Sequence, residues 1–271
     1  MSDRGSGRGV VVTGGGNGIG RAIAARLAAA GDRVVVADLD GDAVRAVAAE
    51  IGGFAVVGDA ASEDGVAALV AAARDHLGVI DIWFGNAGID RGRGLDASEV
   101  EWARSWDVNV MAHVRAARLL IPEWIERAES NPPSLRSPGG RFVVTASAAG
   151  LLTMLGTPTY STTKHAVIGF AEWLSATYRH RGVVVQAICP QGVRTRIFDD
   201  AGPLQDLLAH DGALTPEQLA DSVWEALGDE RFLILPHPEV AGYYATRATQ
   251  TDRWLGGMNK IQRGLEQQGA L

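Results

Sequence analysis

Short apolar runs alternate along this chain with longer segments of helical period. Val10-Val11-Val12-Thr13 is a β-branched run that leads into glycine-rich residues. Residues 21–30 are rich in alanine and close on Gly31, as a helix with a C-terminal glycine does. Residues 33–37 form a second run, centred on Val34-Val35-Val36, and residues 43–51 return to helical spacing. Residues 54–57 read as extended, Ser62 as the N-cap of a helix to about residue 76, and residues 80–84 as a fourth strand. These runs are continuous rather than alternating, which marks strands buried on both faces in a parallel sheet. The β-α-β-α order predicts a doubly wound α/β fold.

The second half repeats the pattern. Residues 98–127 read as one helix with a kink at Pro122, and residues 131–140 as a peripheral loop. A fifth strand is predicted at 142–145, a long helix at 159–181 and a sixth strand at 183–188. Thr215-Pro216-Glu217-Gln218 combines an N-cap, a proline at the first helical position and a reciprocal glutamine. Residues 232–235 supply a last strand, for about seven in all. Beyond Pro238 the residues Trp254, Leu255, Met258, Ile261 and Leu265 share one helical stripe. That stripe reads as packing or an oligomer contact, with a substrate-covering lid as the second reading. No linker divides the chain, so residues 1–271 are expected to form one domain, with 200–271 as a substrate-side segment and helical extension.

Composition removes several function classes. The net charge of −7 disfavours nucleic acid or an anionic membrane as a partner. One cysteine excludes a disulfide framework or a multi-cysteine metal site, and the six histidines show no metal spacing. No metal is expected. The longest apolar run, 66–73, falls far short of the roughly 18 residues of a membrane helix, and no targeting segment is evident. A cytoplasmic protein without membrane contact is expected. Glycine is the outlier, at 34 of 271 residues against a usual share of about 7%.

Part of that excess lies in Thr13-Gly14-Gly15-Gly16-Asn17-Gly18-Ile19-Gly20, between a strand and a helix. Glycines there let the backbone approach a pyrophosphate at the helix N-terminus. Asp38 follows the next strand, where a carboxylate accepts from the adenosine ribose hydroxyls and repels a 2′-phosphate. No basic residue lies between Ala37 and Val44, so the expected cofactor is NAD. The plain alternative, a tight turn without ligand, explains neither the acid nor its place.

The spacing Thr-Gly-xxx-Gly-x-Gly resembles the short-chain dehydrogenase/reductase family. Further motifs follow in that family's order: Asn86-Ala87-Gly88, Asn109, Ser147, and Tyr160-Ser161-Thr162-Thr163-Lys164, 13 residues after the serine. The resemblance covers roughly residues 10–196 and implies a single-domain Rossmann-like sheet with a helical tail. It implies that Tyr160 acts as general acid/base, that Lys164 lowers its pKa and holds the nicotinamide ribose, and that Ser147 holds the substrate oxygen. Asn109 would position a water linking Lys164 to solvent. The chemistry is consistent, since residues four apart share a helix face and an ammonium stabilises a phenolate.

The same resemblance implies cofactor contacts at Gly14, Gly16, Asn17, Gly18, Ile19, Gly20, Asp38 and Leu39. Asp59 and Ala60 would meet the adenine, followed by Asn86, Ala87, Gly88, Pro190, Val193 and Thr195. Asn86 reads as a brace of the sheet centre more than a substrate contact. Gln191 departs from the family, which usually has glycine there. Substrate would touch Ser147, Leu152, Tyr160, Gln191 and Phe198, and the walls Leu151, Leu152, Met154, Leu155 and Ile197-Phe198, apolar with few charges, suggest a hydrophobic secondary alcohol or ketone. Alternatives are a carrier-protein-dependent 3-oxoacyl reductase and a catalytically silent NAD-binding sensor. Cys189 reads as a small core residue and His165 as structural. A homodimer or homotetramer through the helices carrying Asn109 and Tyr160 is expected by family likeness.

Overall fold

The computed structural model describes residues 7–130 and 139–269, so most of the expected 131–140 loop lies outside the described residues. The first half runs β1 (Gly9–Thr13), α1 (Gly18–Ala29), β2 (Arg33–Asp38), α2 (Gly41–Ile51), β3 (Phe54–Val57), α3 (Glu63–Leu77) and β4 (Ile82–Gly85). It continues through α4 (Glu99–Trp106), α5 (Ala112–Ser130), β5 (Gly140–Thr145), α6 (Pro158–Tyr178) and β6 (Val183–Ile188). Short helices α7 (Arg196–Asp199) and α8 (Gln205–Leu208) precede α9 (Pro216–Ala226), β7 (Leu233–Ile234), α10 (Glu239–Thr249) and α11 (Thr251–Gln267). The seven strands form one parallel sheet in the order β3-β2-β1-β4-β5-β6-β7.

Helices cover both faces, which is why the strands are apolar at successive positions. Val11 and Val35 point into a core with Trp83, Leu120, Trp124 and Phe142. Val10, Val12, Val34 and Val36 point the other way, against Ile23, Leu27, Leu219 and Val223. Each such buried aliphatic side chain contributes roughly 1.5–3 kcal/mol.

Three expectations change. The fourth strand begins at Ile82, not at 80: the Ile80 carbonyl is taken by Trp124 Nε1 at 2.8 Å, and Asp81 still bonds through its backbone to Gly9 and Arg141 of the neighbouring strands. The helix expected over 98–127 is interrupted by a π turn at Asp107–Met111, while Pro122 lies within α5 and does not end it. The last strand contracts to two residues, paired with Ala187 and Ile188 of β6. Both predicted caps form: Ser62 Oγ accepts from Gly65 N, and Thr215 and Gln218 close a reciprocal box. Among the described residues no helix is long and apolar enough to cross a membrane.

Gly140 lies directly beneath the Trp124 indole, where a Cβ would overlap the ring. Gly140→Ala should lower stability by about 3 kcal/mol through overpacking, read as a lower urea midpoint. An unchanged midpoint would mean that the indole moves freely.

Candidate active site

β1 and β4 are neighbours whose following helices pass to opposite faces, so a crevice opens beyond their carboxyl ends. It is a cleft of about 980 Å³, lined by most of the residues that the sequence singles out. At its floor, Gly14 and Gly18 adopt φ of +62° and +51°, which side chains rarely tolerate. Gly20 packs so closely under Gly14 O that any Cβ would collide with it. Gly16 and Gly20 shape this turn without lining the cleft.

Asn17 occupies the N-cap of α1, yet its side chain makes no capping bond. The first-turn N–H groups, which have no intrahelical acceptor, are therefore left to an anion. Asp38 holds the turn from the next strand, accepting from Gly16 N at 3.0 Å and Asp40 N at 3.1 Å. Beside it Leu39 is 64% exposed and bare, an apolar wall suited to a flat ring. Asp59 accepts from Ala61 N at 2.9 Å and lies 3.7 Å from Arg104, with Ala60 lining the cleft alongside. Glycine turn, free helix N-terminus, carboxylate and apolar wall together fit a dinucleotide. Arg104 escaped the sequence reading because it reaches this wall from α4.

The other end is built on a three-strand clamp. Asn86 Nδ2 donates to Thr13 O at 3.1 Å and Gly14 O at 3.2 Å, while its Oδ1 accepts from Thr145 Oγ1 at 3.0 Å. Thr13 Oγ1 accepts from Asn86 N and Ala87 N. Asn86 thus braces the ends of β1, β4 and β5. Ser147, just beyond β5, caps a single 3₁₀ turn by accepting from Ala149 N at 3.1 Å.

Tyr160 and Lys164 sit one turn apart on α6, with Nζ 5.4 Å from the phenol ring centroid. Nζ donates to Thr145 O at 2.8 Å. Asn109 occupies the π turn, which rotates it inward. Its Nδ2 donates to Ile89 O and Thr163 Oγ1, and its Oδ1 accepts from Ile89 N. Asn109 Oδ1 and Lys164 Nζ flank Gly88, each 3.4 Å from where a Cβ would stand, although Asn109 itself does not line the cleft.

Burial dominates the electrostatics. In the protein alone the Tyr160 phenol is pushed up to about 12 by desolvation, which outweighs the lowering effect of the Ser147 hydroxyl. The sequence leads one to expect Lys164 to lower it. In the protein alone burial sets the phenol's value, and the ammonium is turned to the Thr145 carbonyl. Lys164 itself is pushed down to about 8 by desolvation, against the pull of Cys189 and Asp90.

The substrate side is apolar. Leu152, Met154, Leu155 and Phe198 line it beside Gln191, whose N–H donates to His237 Nδ1 at 3.2 Å. Pro190, Val193 and Thr195 form the rim toward the glycine turn, with Thr195 Cγ2 against Gly18. Trp254, Met258 and Ile261 of α11 close the far wall, so the tail stripe covers the cleft, and Leu255 at 54% exposed turns away. His165 ties the tail down: its Nδ1 meets Ser161 O at 2.8 Å, and Arg247 of α10 reaches both His165 and Leu151 O. Cys189 is fully buried, and among the described residues no cluster could hold a metal ion.

The short chain dehydrogenase family profile matches residues 8–205. The chain belongs to this family. It is 36% identical over 245 residues to the 1-deoxy-11-beta-hydroxypentalenate dehydrogenase of Streptomyces exfoliatus, covering 86% of this chain and 84% of the relative. It is 38% identical over 221 residues to the 2,5-dichloro-2,5-cyclohexadiene-1,4-diol dehydrogenase of Sphingobium indicum, covering 80% and 82%. A Burkholderia phymatum short-chain dehydrogenase/reductase, solved in complex with NAD, superposes with a TM-score of 0.82 at 28% identity, covering 93% of this chain and 96% of that one. The protein is therefore an oxidoreductase of the CH–OH/C=O class with a nicotinamide cofactor.

The buried ammonium costs stability. With its folded pKa near 8, below the ordinary lysine value, Lys164 penalises the fold below pH 8, and the penalty fades as pH rises toward the unfolded value. Lys164→Met should raise stability by about 1–2 kcal/mol at pH 6–7, a gain that shrinks above pH 8 in thermal melts. A loss of stability at pH 6 would show that the Thr145 bond outweighs the desolvation.

Proposed function

We propose that the protein oxidises a hydrophobic secondary alcohol to its ketone, or runs the reverse, with NAD as cofactor. The observation that carries this reading is the meeting of Ser147, Tyr160 and Lys164 on one wall of a cleft that also carries Leu152, Met154, Leu155 and Phe198. Ser147 Oγ holds the substrate oxygen and stabilises charge developing on it. Tyr160 Oη takes the hydroxyl proton in oxidation and returns it in reduction. Lys164 offsets the phenolate charge, and Asn109 fixes the loop and helix that carry these groups. A nicotinamide cofactor, when bound, would supply the hydride acceptor.

Asp38 supports NAD over NADP. Its carboxylate lies against the glycine turn in the cleft, where an adenosine ribose would find an acceptor and a 2′-phosphate would meet like charge. The acid also opposes the alternative carrier-protein reductase with NADPH, and the intact catalytic set opposes a silent sensor. Both curated relatives are named as dehydrogenases of hydroxyl-bearing molecules, one of them a cyclic diol, which suits a cleft walled by Leu152, Met154, Phe198 and Trp254. A homodimer or homotetramer is supported by exposed Trp106, Leu119 and Trp173 on α4, α5 and α6.

A panel of cyclic secondary alcohols with NAD and with NADP tests the reading. Tyr160→Phe should lower kcat by about 10²–10⁴-fold, with NAD binding within a few-fold of wild type by fluorescence titration. Full turnover in Tyr160→Phe would remove the proposed acid/base. Asp38→Ala should narrow the NAD preference, and a wild-type preference for NADP would overturn the role given to Asp38.

A further inference from the structure

The loop after β4 carries a carboxylate that the mechanism above does not use. Asp90 lines the cleft, yet its side chain is only 5% exposed. Its Oδ1 is enclosed and accepts no hydrogen bond from the described residues, and its Oδ2 lies 3.6 Å from Arg93 Nη1. The loop cannot drift. Ile89 is clamped through N and O by Asn109, the Arg91 and Gly92 carbonyls accept from Thr159 Oγ1, and Gly94 N donates to Gly156 O at 3.0 Å. Thr159 immediately precedes Tyr160, so Asp90 is fixed relative to the α6 pair.

Among the described residues no carboxylate is in direct salt-bridge contact with Lys164. The lysine is 3% exposed, and its bond to Thr145 O is to a neutral oxygen, which does not balance a buried cation. The groups facing it come from four elements. Tyr160 shares α6, and its phenol is neutral at pH 7. Cys189, beyond β6, has its thiol pushed up to about 12 by burial, and His113 of α5 is pushed down to about 3 by burial and then by Lys164 itself. Both are neutral. Asp90 is the remaining group: it lines the same cleft as Lys164, two residues beyond Gly88, whose Cβ position lies 3.4 Å from Lys164 Nζ. The coupling is mutual: burial raises the Asp90 carboxyl, while Arg93 and then Lys164 lower it.

We propose that Asp90 is a positioning residue of the catalytic centre, the buried counter-charge that keeps the Lys164 ammonium protonated beside Tyr160. This rests on the reading of Tyr160 and Lys164 as the acting pair. A carboxylate within a shared low-dielectric site favours the ammonium and disfavours the phenolate. Neutralising it therefore moves both titrations to lower pH, and removing the Arg93 charge moves both to higher pH. A steric or folding role for Asp90 has no such reversal of sign.

The chain makes a direct measurement simple, because it contains two lysines, Lys164 and the exposed Lys260. In cofactor-free protein labelled at lysine ¹³Cε, each resonance titrates separately by NMR. The wild-type Lys164 midpoint should lie near 8. Asp90→Asn, close in shape, should lower it by about 1 pH unit, and Asp90→Glu, which keeps the charge, should leave it nearer the wild-type value; Arg93→Gln should raise it by a smaller amount if it moves it at all. Lys260 should stay in place in all three. An Asp90→Asn midpoint that is unchanged or higher overturns the proposal, as does a shift of the same sign in Asp90→Asn and Arg93→Gln. Should Asp90→Asn fail to fold, Asp90→Ser takes its place, with the same lowered midpoint expected and an unmoved or raised midpoint as the refuting result. Failure of the acting-pair reading is separate: it shows as turnover by Tyr160→Phe, which this titration does not involve.

Discussion

The carboxamide of Asn86 holds the working parts of this molecule in one frame. It binds the carbonyls that end β1, accepts from the threonine that ends β5 and itself follows β4. The carbonyl of that same Thr145 takes the Lys164 ammonium. The turn shaped for a pyrophosphate and the helix bearing the acid/base pair are therefore registered through one side chain and its immediate partners. The crevice exists because the sheet order reverses between β1 and β4. Its dimensions hold because Asn86 keeps those strand ends from separating.

Around that frame the protein accumulates charge where water is scarce. A lysine, an aspartate and a tyrosine are all displaced from their ordinary titration ranges by burial. Such a cluster weakens the fold and is tolerated where chemistry needs it. The Rossmann-type core, with valines packed to both faces of the sheet, carries the cost. The tail adds the last wall. α11 has no buried residue of its own, and Trp254, Met258 and Ile261 of its stripe line the cleft while Leu255 meets solvent.

The cofactor half was readable in the chain because its determinants are local: a glycine turn, the strand before it, the helix after it, and one acid at the end of the next strand. Tyr160 and Lys164 were readable because a helix fixes which residues share a face. Other features depend on partners distant in sequence. Nothing near Asn109 announces a π turn, which follows from its bonds to Ile89 and Thr163 across the fold. The start of β4 shifts because Trp124 claims the Ile80 carbonyl from another helix. The stripe at Trp254 was visible as a stripe, but its destination was not, since spacing shows a face and never its partner. Asp90 is an ordinary loop acid in the sequence. Only the enclosure of its oxygen and the company of Lys164 distinguish it.

The most direct measurement follows the transferred hydrogen. A cyclic secondary alcohol that the enzyme turns over is deuterated at the carbinol carbon and incubated with NAD, and the reduced cofactor is analysed by mass and NMR. One deuterium should appear at the nicotinamide C4 for each ketone formed by the wild type, with almost none formed by Tyr160→Phe. Ketone formed without deuterium in the cofactor, or equal transfer by Tyr160→Phe, would show that the chemistry does not run through the Ser147–Tyr160–Lys164 wall.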